Sequence, residues 1–392
     1  MTSRKAELRL ESPAAFPFYL GFAVAGMATV LLGPILPILS ARWSLTDFEA
    51  GSLFAIQFTA STLGAILASH FRRACLLFGY ASVAAGLAAL ALGNYAVVIG
   101  AFGLVGIGLG SANTATNLLF GTQRPAERGA LLSRVNLFWG IGAVSCPPFV
   151  AAAVGPGALR MVLLGLSFTA LAVFAALATL AARRRIPAGD RKTRPESGER
   201  LTLPVFLLFS LMLFLYVGAE TSVSGWIATY VHRSVGLDPE ESGLFVSAFW
   251  LSIVLGRAAT PLLLRLGSEA GVLLAGVVSA SAGISLLLLP QTPAIGIAAV
   301  VIAGLGCAPI FPLAVARLLA RVGHSRHSGW IFAVCGSGGA VLPWLMGLCS
   351  AHANSLRIAF TLPLAAMGGV LLLVLGERAL PVSRTVPGVI FP

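Results

Sequence analysis

Glu220 is the residue whose position most demands a chemical explanation. Of the 14 Asp and Glu residues, 13 fall in tails, loops or the ends of apolar runs. Glu220 alone lies deep inside one, the run from about 202 to 231. An acid there costs about 3 kcal/mol on insertion scales, so it must face a cavity, meet a cation or hold a proton. Side chains four apart on a helix share a face, which places Tyr216 and Ser224 beside Glu220. The three form a candidate coupling site. A sodium ion would use several of these oxygens, a proton only the carboxyl group, and the residues leave both open.

A second set of polar side chains suits a hydroxylated cargo. Asn113 and Asn117 are one turn apart, and an amide both donates and accepts. Gln57 and Asn136 are similar amides in other apolar runs. Trp139, Trp226 and Trp250 also lie within runs, as do Trp330 and Trp344. An indole can stack on the apolar face of a sugar ring while its N–H donates. The candidate substrate-binding residues are therefore Asn113, Asn117, Gln57, Asn136, Trp139, Trp250 and Trp226. The competing reading of each is structural: amides bond helices together, and tryptophans fill bundle cores. Arg257 reads as a snorkelling or gating cation near a helix end. Trp43 reads as an interface anchor.

No nucleophile–base pair, metal cluster or cofactor motif accompanies these residues, so catalysis is not expected. The five histidines fall at run ends or loops, and the five cysteines are scattered without zinc or disulfide spacing. No cofactor and no metal centre is expected beyond a transported Na+ or H+.

The elements that carry these residues follow from composition. Hydrophobic residues make up 57% of the chain and charged residues 10%, far from the ~25% charged residues of soluble domains. Twelve apolar segments between residues 16 and 377 are each long enough to cross a bilayer. Each must be helical, because hydrocarbon satisfies no backbone amide. The fold class expected is an all-α membrane protein of twelve transmembrane helices. A polar stretch from Arg183 to Arg200 holds seven arginines and lysines. It divides the chain into a six-helix half (1–182), a basic linker (183–200) and a second six-helix half (201–392).

With both termini in the cytoplasm, only Arg42, Arg160, Arg233 and Arg357 of the 26 Lys and Arg lie outside. The positive-inside rule then fixes orientation. It also accounts for the net charge of +12 without any nucleic-acid partner.

The halves repeat each other. Gly108 to Asn113 parallels Gly304 to Pro309, and Gly142 and Pro147 parallel Gly338 and Pro343, each at an offset of 196. Phe54 and Phe58 are echoed by Phe245 and Phe249.

This duplicated pattern with a basic centre resembles the major facilitator superfamily. Leu45–Gly51, Tyr216–Glu220 with Trp226 and Tyr230, Phe249–Trp250 with Leu255–Arg257, and Gly304–Pro312 resemble its fucose–proton symporter family, in particular the sodium–glucose-transporter-like branch. The superfamily's loop signature after the second helix is reduced to Gly64, Arg72 and Arg73. The fucose transporters carry functional acids near the end of helix 1 and on helix 4. Here those positions read Gly33 and Asn113, so the two-carboxylate mechanism does not carry over.

The resemblance implies a monomeric secondary transporter of a bacterial inner membrane, embedded in lipid and importing a monosaccharide or similar solute with a proton or sodium ion. The alternative is a proton-coupled exporter of a drug or metabolite.

Overall fold

The computed structural model describes residues 15–93, 95–121, 125–152, 157–183, 186, 202–289, 291–322 and 328–377. Among these every regular element is a helix. In chain order they are α1 (Phe16–Val30), α2 (Leu32–Trp43), α3 (Asp47–His70), α4 (Arg72–Ala91), α5 (Tyr95–Gly121), α6 (Pro125–Ala151) and α7 (Ala158–Ala182). Then come α8 (Leu203–Val235), α9 (Pro239–Leu266), α10 (Glu269–Leu286), α11 (Pro293–Val322), α12 (Ser328–Ala353), α13 (Leu356–Ala359) and α14 (Thr361–Glu377).

Ten spans are long and apolar enough to cross a membrane, the short α13 merging with α14 in one of them. The pair α1 and α2, bent by 42°, forms another. The 27-residue α6 completes the expected twelve. Its mean apolarity is lowered by Arg134, Asn136, Pro147 and Pro148.

The bend between α1 and α2 has a local cause. Pro34 has no N–H to continue the ladder, and the chain breaks at Leu31. The missing bond is the one to the Val30 carbonyl, and beside it the Thr29 carbonyl accepts from Gln57 Nε2 of α3 at 3.2 Å.

Packing falls into two sets. Within the first, α1 packs on α6, α3 and α4 on α5, and α7 on α4. Within the second, α8 packs on α12 and α14, α9 on α11, and α10 on α11. The sets meet where α12 lies along α3, α6 along α9, and α2 against α8 and α9. The linker expected at 183–200 lies almost wholly outside the described residues.

Glycines fix the distance between these helices. A Cβ on Gly142 of α6 would overlap the Ala23 carbonyl of α1, and one on Gly338 of α12 would overlap the Phe214 carbonyl of α8. These two glycines are equivalent by environment, as their sequence parallel anticipates.

For the α5 and α11 glycines the register differs from the sequence alignment. Gly106 packs on Gln57 of α3 and Gly108 on Gly79 of α4. Their counterparts by contact are Gly304, on Phe249 of α9, and Gly306, on Gly276 of α10. Glycines at 106, 108 and 110 offer two alignments with the same motif, and only the neighbours choose between them.

Gly338→Val should therefore destabilise the protein by about 1–3 kcal/mol through overpacking. Gly165→Ala, where a Cβ meets nothing within 4 Å, should not. Thermal unfolding of the two variants in the same detergent checks this, and equal midpoints would contradict the packing.

Candidate functional site

Glu220 stands near the middle of the 33-residue α8, which is roughly 50 Å long at 1.5 Å per residue. Its carboxyl oxygen Oε1 lies 2.6 Å from the Tyr216 hydroxyl. That hydroxyl is also 3.0 Å from the Cys307 carbonyl of α11. A phenol has one proton, so it donates to the acid or to the carbonyl but not fully to both. Arg257 Nη2 of α9 is 3.7 Å from the same Oε1. The carboxyl group is thus contacted from α8 and α9, and α11 reaches it through the shared phenol.

Tyr216 is fully buried, and the Glu220 side chain is 12% exposed. Arg257 keeps 39% of its side chain exposed. Its guanidinium reaches back from the last third of α9 towards the middle of the bundle, as long basic side chains do.

Of the expected coupling residues, the structure brings Tyr216 to Glu220. It does not bring Ser224, whose hydroxyl donates to the Thr221 carbonyl of its own helix at 3.3 Å. Sequence reasoning missed the Cys307 carbonyl. No local signal marks it: the prolines inside α11, Pro309 and Pro312, free the carbonyls of Leu305 and Ala308, four residues before each.

The amides and indoles divide into two groups. Gln57 Oε1, Asn113 Oδ1 and Trp250 Nε1 are buried polar atoms without a hydrogen-bond partner. Such atoms are rare and costly in folded proteins and point to a missing ligand or water. Trp139 of α6 and Trp250 of α9 meet edge to face with centroids 5.2 Å apart, joining the two helix sets. Trp226, by contrast, is fully buried and its N–H donates to the Pro343 carbonyl at 3.0 Å. Asn136 is exposed and donates to the Leu132 carbonyl of its own helix at 2.7 Å. Asn117 is half-buried. The Trp330 side chain lies outside the described residues, as do His324 and His327.

A second polar cluster sits at one end of the bundle. Arg233, in the last turn of α8, forms a two-pronged pair with Asp47, at the start of α3, at 2.8 and 2.9 Å. Ser350 of α12 donates to the same carboxylate at 2.6 Å. The sequence placed Arg233 at this end but gave no partner for it. Close backbone contacts continue inward from this clamp. Gly51 faces Trp344 and Gly347 of α12, each 3.2 Å from a would-be Cβ. Gly33 of α2 faces the Ser224 carbonyl of α8 at 2.6 Å from a would-be Cβ. Further in, Phe54 packs on Trp226 with centroids 6.0 Å apart. At this end the two sets are closed against each other.

An exposed ion pair contributes about 0–1 kcal/mol, so the clamp biases the closure without locking it. In a Cys349→Ser background, Ser224→Cys should be slow to react with a membrane-impermeant maleimide. Adding Asp47→Asn should speed the reaction severalfold. An unchanged rate would show that the clamp does not hold this end shut.

Relatives share this architecture. The yeast Bypass of stop codon protein 6 (Saccharomyces cerevisiae) is 23% identical over 83% of this chain and 75% of its own length. A putative glucose/galactose transporter of Helicobacter pylori is 22% identical over 88% and 91%. Among solved structures, a bacterial homologue of the human lysosomal transporter Spinster, inward-facing and unoccupied, overlaps with a TM-score of 0.75 at 14% identity, covering 96% and 98% of the two chains. The transporter FucP, in the outward conformation, overlaps with a TM-score of 0.61 at 18% identity, covering 96% and 99%. The family model for the Major Facilitator Superfamily matches residues 18–343. This chain is a multi-pass membrane transporter that belongs to the Major Facilitator Superfamily.

Proposed function

We propose that the protein is a cation-coupled importer of a monosaccharide or a related small polar solute, working as a monomer in a bacterial inner membrane. The observation that carries this reading is Glu220, placed mid-span with Tyr216 and Arg257 against it. Unpartnered polar atoms on Gln57, Asn113 and Trp250 support it, as amides and indole N–H groups match hydroxyls. The name of the Helicobacter relative agrees with a sugar as cargo.

The roles follow from the geometry. The halves 1–182 and 201–392 rock about the site, so that it opens to one side of the membrane at a time. Both termini are cytoplasmic, which puts the Asp47–Arg233–Ser350 clamp outside. The described conformation is then closed outward. Glu220 takes up the coupling ion. Arg257, beside the same oxygen, repels a second cation, and the nearby oxygens are few. A proton therefore suits the site better than sodium. Asn113, with Gln57 and Trp250, receives the cargo where the two sets face each other. Asn117 completes the amide face of α5.

Coupling requires that the loaded and empty proteins rock while half-loaded ones do not, or the gradient leaks. Protonation of Glu220 changes what Tyr216 and Arg257 can bind, and so links the ion to the cargo.

Purified protein in liposomes should concentrate a radiolabelled cargo from a panel of monosaccharides and their small polar derivatives when an inward proton gradient is imposed. Glu220→Gln should abolish concentrative uptake while leaving exchange of labelled for unlabelled cargo. Competition between protons and cargo, in place of mutual enhancement, would favour export and overturn the reading.

A further inference from the structure

The Glu220–Arg257 pair brings one negative and one positive charge to the middle of the bundle. Other titratable groups facing Glu220 are Tyr216 from α8, Cys307 from α11 and Cys335 from α12. Among the described residues, Arg257 is the cation that faces it.

We propose that Arg257 is the cargo's carboxylate-binding group, and that the cargo is a hydroxylated monocarboxylate of the sugar-acid class, carried together with a proton on Glu220. This rests on the transport reading above and narrows its substrate class.

Geometry is the first support. Arg257 touches Glu220 through one nitrogen at 3.7 Å. Arg233 shows the tight alternative in the same protein, two bonds of 2.8 and 2.9 Å to Asp47. A guanidinium recognises carboxylates best through that two-pronged fork. The fork of Arg257 is not closed on Glu220, whose Oε1 is already held by the Tyr216 phenol. With 39% of its side chain exposed, Arg257 is free to offer the fork to a ligand. Trp250, two turns before Arg257 on the same face of α9, has an unpartnered N–H that can donate to a hydroxyl of the same molecule.

Charge conservation is the second support. With Glu220 ionised, the pair is neutral. Protonation leaves it with a net positive charge, and a bound monocarboxylate restores neutrality. The empty and fully loaded proteins are both neutral, whereas each half-loaded protein carries a net charge through the low-dielectric midplane, which is costly. The cost falls on the states that must not rock. A neutral sugar carried with a proton would leave Arg257 uncompensated in the loaded state.

Calorimetric titration of the purified full chain tests this. The probes are D-gluconate and D-galacturonate, with D-glucose and D-galactose beside them. The sugar acids should bind at mildly acidic pH and weaken by about tenfold per pH unit above the titration of Glu220, as linkage to one proton requires. Arg257→Gln should abolish sugar-acid binding. Arg257→Lys, which keeps the charge but loses the fork, should bind at least several-fold more weakly. Glu220→Gln should bind sugar acids at both acidic and alkaline pH. Thermal unfolding of each variant confirms that it is folded. Binding of neutral sugars alone, or sugar-acid binding indifferent to Arg257, would overturn this inference and leave the transport reading standing. No binding of any of the four probes by the folded protein would overturn both.

Discussion

A carboxyl group in the middle of a membrane span has to be matched by the protein itself, since hydrocarbon supplies neither water nor counterions. Much of this chain's second half is arranged around that constraint. Tyr216 stands one turn before Glu220 and donates to it. The proline-interrupted α11 presents a carbonyl to the same phenol. Arg257 extends its stem back along the bundle to bring a cation within 3.7 Å. Each partner is incomplete, and that leaves the group able to exchange ligands. A carboxylate saturated by short bonds would hold its state, whereas one held by a shared phenol and a distant guanidinium can change it.

The rest of the fold serves close approach. Backbone contacts at Gly142, Gly338, Gly106 and Gly304 set the helices within each set at fixed spacing, so each set can move as a body. Between the sets, similar glycine seams are joined by an exposed ion pair and an edge-to-face indole pair. Such an interface separates without disrupting either core.

The sequence made the architecture legible because hydrocarbon thickness, backbone satisfaction and positive charge act on stretches of about twenty residues at once. Glu220 and Tyr216 were legible for a similar reason, as the one acid deep in a span and its neighbour on the same face. What stayed hidden depends on contacts between distant segments. No local pattern joins Asp47 to Arg233 and Ser350, or puts the Cys307 carbonyl on Tyr216. Helical spacing placed Ser224 beside Glu220, but a bond to its own backbone competes for its hydroxyl. Trp226 looked like Trp139 and Trp250 in sequence, and only burial with a committed N–H sets it apart. The α5 register was ambiguous because glycine recurs at every second position there.

Gly33 carries a consequence for where this fold can hold an acid. In the fucose–proton symporters, which this sequence resembles, the corresponding position bears an acid. Here the α8 backbone at Ser224 occupies the space a side chain would need. An aspartate there would drive its carboxylate into that seam and push α2 and α8 apart. Placing an acid at this position requires α8 to retreat at the same time, which means several coordinated substitutions. With the seam tight over position 33, the second half of the molecule holds the acid that lies mid-span, Glu220, and substitutions around it meet less backbone resistance than an acid at position 33 would.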